Sequence, residues 1–418
     1  MGKFLIIGID GVPFDLILEF SKRGIIPNIS SLIEKGKLIK TRAPLPEVSS
    51  VSWTSFMTAR NPGEHGIFGF EEIDRGTYQY VFPDFNHVEE TFWERLGLNS
   101  IIINLPQTYP ARRTRGVLVS GFVAPDLERA IYPPALLRFL KKIKYRVDAD
   151  FNLAREDKRK FVKHLIQVLK VREKLAKKLW KEDWDLFFFV VTGTDRLHHF
   201  LFDAYQNPEH PQRMDFEGFY REMDRIVGRF INAALKNGIP IAILSDHGFC
   251  EIKEEVYVSQ YLKKWGYLNF KEEEPQDLTS LEPSTKAFAL NPSRIYIHLE
   301  GKFSRGSVNP SEYENLLEDL TRRFLDLEID GKRVIRAVFR KEEIYTGPFL
   351  ERAPDLVLLS HRGFDLKSGF KKKKLHGRSH FTGMHSQDDA FLITHPPMEF
   401  PEHPFIYQIA AGIEEFFT

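Results

Sequence analysis

The chain has 418 residues, 42% of them hydrophobic, which is room for one large domain or two ordinary ones around a sizeable core. Lys plus Arg number 59 and Asp plus Glu 58, a formal charge of +1. A balance this even excludes a global electrostatic pull toward nucleic acid or anionic membrane, so any preference for phosphate has to come from local groups.

Taken in chain order, the first apolar run is FLIIGI at 4–9, which ends in Asp10. It is too short for a signal sequence or a membrane span and reads as a strand. Helical patterns follow at Phe14–Arg23 and Thr54–Arg60, then a strand at SIIINL (100–105). A basic amphipathic helix is expected over Glu156–Lys181, with its charges on a solvated face. A strand at LFFFVV (186–191), a helix at Phe216–Lys236 and a strand at IAIL (241–244) come next. Continuous rather than alternating apolar character points to strands buried on both faces. Strand–helix alternation then predicts a mostly parallel sheet between helical layers.

Residues 257–380 have a different texture. The polar stretch 271–284 reads as a loop, followed by strands at 294–299, 334–340 and 355–360 and a helix at Tyr313–Leu325. This predicts a small inserted α/β subdomain at 257–380 in a discontinuous core made of 1–256 plus 381–418. The core resumes with a strand at AFLIT (390–394) and a terminal helix. The one cysteine, Cys250, allows no intramolecular disulfide, which suits a reducing, cytoplasmic location; a packing role is expected for it. No other segment reaches membrane length.

The chemistry gathers in a few short segments. Asp10, Asp195 and Asp246 each fall at or just after the carboxyl end of a predicted strand, where open α/β sheets bind ligands. In GTDRLHH, Asp195 and His199 are four apart and share a helix face, while His198 points elsewhere. SDHG adds His247 beside Asp246, and GMHS adds His385. Mixed oxygen and nitrogen ligands suit zinc, manganese or iron. PEVSSVSW offers several serines at what reads as a helix start. Such a serine is often only an N-cap, but a helix N-terminus is also an anion site, and a hydroxyl beside a divalent metal becomes a nucleophile.

GIDG, the serine segment running into TARNPGEHGIFGF, NLPQTYP, VSGFVAP, TDRLHHF, SDHGF, APDLVLL and GMHS occur in an order that resembles the alkaline phosphatase superfamily. The resemblance is strongest to its type I phosphodiesterase/nucleotide pyrophosphatase branch, including the predicted phosphohydrolase/phosphomutase proteins of archaea and bacteria. It implies an alkaline-phosphatase-like three-layer sandwich. It also implies two divalent ions about 4 Å apart, zinc by preference. Asp195, His199 and His385 would hold one, and Asp10, Asp246, His247 and Ser49 the other. The nucleophile of the pattern stands nine residues before a Thr-Gly pair; here Thr58-Ala59 takes that place, and the count back gives Ser49. The implied cycle passes through a phosphoserine that water then releases.

Two departures bear on substrate. Nucleotide pyrophosphatases carry a phosphate-binding Asn after the HGI turn, where this chain has Phe70. An apolar wall there favours diesters over small monoesters. Arg196, Thr285 and Lys286 are the remaining candidates for substrate contact. Sulfatases need a Pro and an Arg after the nucleophile, and Ser49-Ser50-Val51-Ser52-Trp53 has neither. The expectation is therefore a metal-dependent hydrolase of a small phosphate ester, diester or pyrophosphate, possible nucleotides included, with no stable nucleic-acid complex. A phosphomutase or phosphotransferase using the same phosphoserine, and a metal-binding protein of the same fold that has lost catalysis, are the alternatives.

Overall fold

The computed structural model describes residues 2–418. It divides into two units. The larger holds the residues through Arg60, Asp84–Glu251 and His380–Thr418; the smaller holds Asn61–Pro83 and Ile252–Ser379.

The larger unit is built on an eight-stranded sheet. In chain order its strands are β1 (Phe4–Ile9), β2 (Lys37–Thr41), β3 (Ser100–Leu105), β4 (Gly116–Ser120), β5 (Ile131–Tyr132), β6 (Leu186–Val191), β7 (Ile241–Leu244) and β8 (Ala390–His395). They lie in the order β2-β8-β7-β1-β6-β3-β4-β5. β7, β1, β6, β3 and β4 run parallel; β8 and β5 run antiparallel to them at the two flanks, and β2, paired antiparallel with β8, points the same way as the parallel set. Every residue of β1, β3, β6 and β7 is buried, as continuous apolar runs require.

Helices cover both faces. Leu5, Ile7, Ile9, Phe187, Phe189 and Val191 share one core with α1 (Phe14–Lys22), α3 (Lys158–Leu179), α4 (Gly193–Gln206) and α5 (Arg213–Lys236). On the other face, Trp53 and Phe56 of α2 (Ser49–Thr58) pack on Phe188 with ring centroids 5.9 and 5.4 Å apart. Gly8 permits this approach, because a Cβ there would stand 2.6 Å from the Trp53 ring. α2 begins earlier than the sequence pattern suggests. All ten of its residues are buried, so it shows no amphipathic period.

The smaller unit contains a four-stranded antiparallel sheet ordered Ala287–Leu290, Arg294–Ile297, Leu356–Ser360 and Ile335–Arg340. Leu317, Leu320 and Phe324 of the helix Tyr313–Leu325 share its core. Leu278 and Leu281 of the polar stretch are buried in that core too. Asn61–Pro83 departs from the sequence-based division, which gave it to the larger core. The cause is Tyr78, fully buried in the smaller core, whose hydroxyl lies 2.7 Å from His298 Nε2. Asn61 also donates to Ile344 O across 283 residues of chain. Among the described residues, no helix is long and apolar enough to cross a membrane.

Candidate active site

β1, β6 and β7 end level with one another: Ile9 is in register with Val191, and Gly8 with Leu244. Asp10 follows β1 directly, Asp246 follows β7 by two residues, and Asp195 sits on the first turn of α4 just after β6. The sheet therefore delivers three carboxylates to one place. His199 lies one turn further along α4. His385 comes from the short strand Gly383–Ser386, paired antiparallel with Gly248–Glu251 immediately after His247.

All seven residues singled out as metal ligands or nucleophile converge in the larger unit. Asp10, Ser49, Asp195, Asp246 and His247 are almost fully buried, and His199 and His385 are partly so. Candidate ligand atoms of Asp10, Asp246 and His247 lie within 4.8 Å of one another, as do those of Asp195, His247 and His385. His199 Nε2 stands 3.5 Å from Asp195 Oδ1 and 3.2 Å from His385 Nε2. His247 thus stands where the two clusters meet, its ring stacked 3.8 Å from that of His385.

The histidine orientations are informative. His199 Nδ1 faces Gly383 O at 3.2 Å, His247 Nδ1 faces Gly248 O at 3.0 Å, and His385 Nδ1 faces Glu47 O at 2.8 Å. A carbonyl only accepts, so each Nδ1 carries the proton and donates it. In the neutral rings each Nε2 then turns a bare lone pair into the cluster, the arrangement typical of metal-binding imidazoles.

Charge tells the same story. Burial, with Asp246 and Asp195 nearby, raises Asp10 well above the usual carboxylate range. Burial also pushes Asp246 up to about 7, and its Oδ2 has no hydrogen-bond partner. Burial opposes ionisation of Asp195 as well, but His199, His385 and Arg196 hold it well below the usual range. Bare imidazole nitrogens and crowded buried carboxylates fit a pair of divalent cations, which would compensate both.

Ser49 Oγ lies 3.3 Å from Asp10 Oδ1 and 3.2 Å from His247 Nε2. It is the first residue of α2, whose N-terminus has no side-chain cap. The hydroxyls of Ser50 and Ser52 are buried without a partner and belong to neither cluster. Trp53, one turn along α2, donates from Nε1 to Asp10 Oδ2 at 3.1 Å. Sequence reasoning passed over Trp53, although its place four residues after Ser49 on one helix face was a usable signal.

The proposed substrate contacts are more scattered. Arg196 is in the larger unit and is bound to Asp195 and Asp148. Phe70, Thr285 and Lys286 belong to the smaller unit. Thr285 is fully buried, and its hydroxyl is engaged by Asn269, donating to the carbonyl at 2.8 Å and accepting from the amide at 3.1 Å, so its one proton is already committed. Lys286 is exposed. His198 lies outside both clusters. Its Nδ1 donates to Gly11 O at 2.8 Å and its Nε2 accepts from the Tyr220 hydroxyl at 2.7 Å, while burial lowers it to about 3 and keeps it neutral.

Comparison with known proteins agrees with this architecture. No curated protein matches the sequence. Among solved structures, phosphonoacetate hydrolase from Sinorhizobium meliloti 1021 in complex with phosphonoformate superposes with a TM-score of 0.66 at 15% identity, covering 100% of this chain and 96% of that one. Murine ectonucleotide pyrophosphatase/phosphodiesterase 5 gives 0.56 at 12% identity, over 99% and 95%. An inactive form of the same murine protein in complex with AMP gives 0.57 at 12% identity. At such identities the likeness establishes the alkaline-phosphatase-like fold. The profile described as type I phosphodiesterase/nucleotide pyrophosphatase matches residues 4–388, nearly the whole length, and the chain belongs to that family.

Proposed function

We propose that this chain is a two-metal phosphohydrolase that cleaves a phosphodiester, pyrophosphate or phosphate ester through a phosphoserine on Ser49. The observation that carries the reading is the set of three imidazole Nε2 atoms, each with its Nδ1 proton given to the backbone, gathered with three buried carboxylates around one serine hydroxyl. Asp195, His199 and His385 would hold one ion, and Asp10, Asp246 and His247 the other. Bound divalent ions supply positive charge that stabilises the attacking and leaving oxygens and the transferring phosphoryl group.

The chain's own groups do the rest. Ser49 Oγ loses its proton and forms the bond to phosphorus as the ester oxygen departs with its electron pair, and that proton ends on the departing alcohol. Water then breaks the Ser49–phosphorus bond, restoring the hydroxyl and releasing phosphate or a phosphate monoester. The N-terminus of α2 orients the anion through its free amides and dipole. Burial of Asp10, Asp195 and Asp246 keeps bulk water from screening these charges. The neighbours' phosphonoformate and AMP complexes support a small phosphate or phosphonate compound as substrate. A single cysteine supports a cytoplasmic setting, and zinc, manganese or iron suit the donor set.

The test is a metal-replete assay of bis-p-nitrophenyl phosphate, p-nitrophenyl phosphate and nucleotide esters. Turnover that chelation abolishes and metal restores is expected. A metal-loaded protein inert toward every ester would overturn the reading.

A further inference from the structure

Asp195 and Arg196 are adjacent on the first turn of α4, where consecutive side chains ordinarily diverge. Arg196 instead folds back, and its NH1 donates to Asp195 Oδ2 at 2.8 Å. Its Nε and NH2 form a fork on Asp148, at 3.3 Å to Oδ1 and 2.8 Å to Oδ2. The rings of Phe122 and Phe151 lie 4.0 and 4.8 Å from the guanidinium carbon, and only 14% of the side chain is accessible. A two-point carboxylate fork and two aromatic rings fix the arginine in one rotamer.

The consequence falls on Asp195. With Oδ2 tied to Arg196, Oδ1 is the oxygen left facing His385 Nε2 at 3.2 Å and His199 Nε2 at 3.5 Å. In the other cluster, among the described residues, no cation donates a hydrogen bond to a carboxylate: Asp10 Oδ2 is held by the neutral Trp53 N–H, and Asp246 Oδ2 by no hydrogen bond.

We propose that Arg196, anchored on Asp148, is a positioning residue that presents Asp195 Oδ1 to the His199/His385 cluster and offsets the charge of that cluster's carboxylate. The inference rests on the dinuclear reading above. It assigns Arg196 a role in holding one ion rather than in touching substrate.

The experiment titrates metal-free full-length chain with zinc by calorimetry, in wild type and in Arg196→Met, Arg196→Lys and Asp148→Asn, with kinetics on bis-p-nitrophenyl phosphate. Wild type is expected to bind two ions. Arg196→Met is expected to keep one binding step and weaken the other by about 10–100-fold, the range for lost partners of metal-holding side chains. Arg196→Lys recovers part of the loss, since it restores charge without the fork. Asp148→Asn shifts the same step in the same direction by less, and carries the test should Arg196→Met fail to fold. At saturating zinc, kcat falls while KM stays within about twofold. Two unaltered binding steps in the variants overturn the proposal, and a raised KM with unaltered binding reassigns Arg196 to the substrate. A wild-type chain that takes up no zinc overturns the dinuclear reading itself, a result distinct from either.

Discussion

His199 and His385 face each other through their Nε2 atoms at 3.2 Å, each having committed its Nδ1 proton to a main-chain carbonyl. Two lone pairs at that separation repel unless a cation or a proton lies between them. Replacing His385 with Ala removes one bare nitrogen and should leave one tight zinc per chain where wild type is expected to hold two. Metal analysis after gel filtration reads this directly; two retained ions would remove His385 from the ligand set.

Ser49 is the serine whose hydroxyl meets both Asp10 and His247. Ser49→Ala should lower turnover by about three orders of magnitude or more while metal content stays at the wild-type level. Ser50→Ala, which removes an unpartnered buried hydroxyl, should keep activity. The reverse pattern would shift the nucleophile by one residue.

Trp53→Phe keeps an aromatic ring in the core but deletes the N–H held by Asp10 Oδ2. Leaving that buried oxygen without its donor costs about 1–3 kcal/mol in the metal-free chain. Zinc affinity at the Asp10 cluster should also drop, measurably by competition with a chelating dye. Unchanged unfolding and unchanged zinc affinity together would mean the contact contributes nothing.

Gly8→Ala tests the packing beneath the site. Its new methyl would stand 2.6 Å from Trp53 and 3.2 Å from Val190, both buried, so it cannot be accommodated without displacement. A loss of about 1–3 kcal/mol in urea unfolding is expected from overpacking.

Chelated protein should show a characteristic dependence on pH. Burial raises Asp10, and raises Asp246 to about 7. The folded chain then keeps protons that the unfolded chain releases near pH 4, so stability falls as pH rises from about 4 through about 7. Asp195 is depressed, and its contribution disappears only in acid, outside that window. Divalent cations require the deprotonated carboxylates, so added zinc should raise Tm more at pH 8 than at pH 5.5. A flat Tm for chelated protein over this range would contradict the crowding of uncompensated carboxylates.

The sequence made some of this plain and hid the rest for identifiable reasons. FLIIGI, LFFFVV and IAIL are apolar on both faces because they are buried on both faces, so their ends marked where Asp10, Asp195 and Asp246 would meet. The start of α2 was visible only through Ser49. SSVSWTS is a weak helix former with no polar face, and burial rather than propensity holds it. The Asp148–Arg196 fork could not be read, since 48 residues separate the partners and nothing local couples them. The attachment of Asn61–Pro83 to the smaller unit was hidden in the same way, by contacts spanning more than 200 residues of chain.

That last attachment has a consequence for how such a chain can be taken apart. The smaller unit is sewn from two separate lengths of polypeptide, and Tyr78 from the short one fills the core of the long one. Expressing 252–379 alone would open a hole the size of a tyrosine and leave His298 without its hydroxyl partner. Excising it would strand Phe68 and Tyr78, both fully buried in the whole chain, in water. Any graft that exchanges this unit between relatives therefore has to carry both lengths together, and a single-cut chimaera should aggregate.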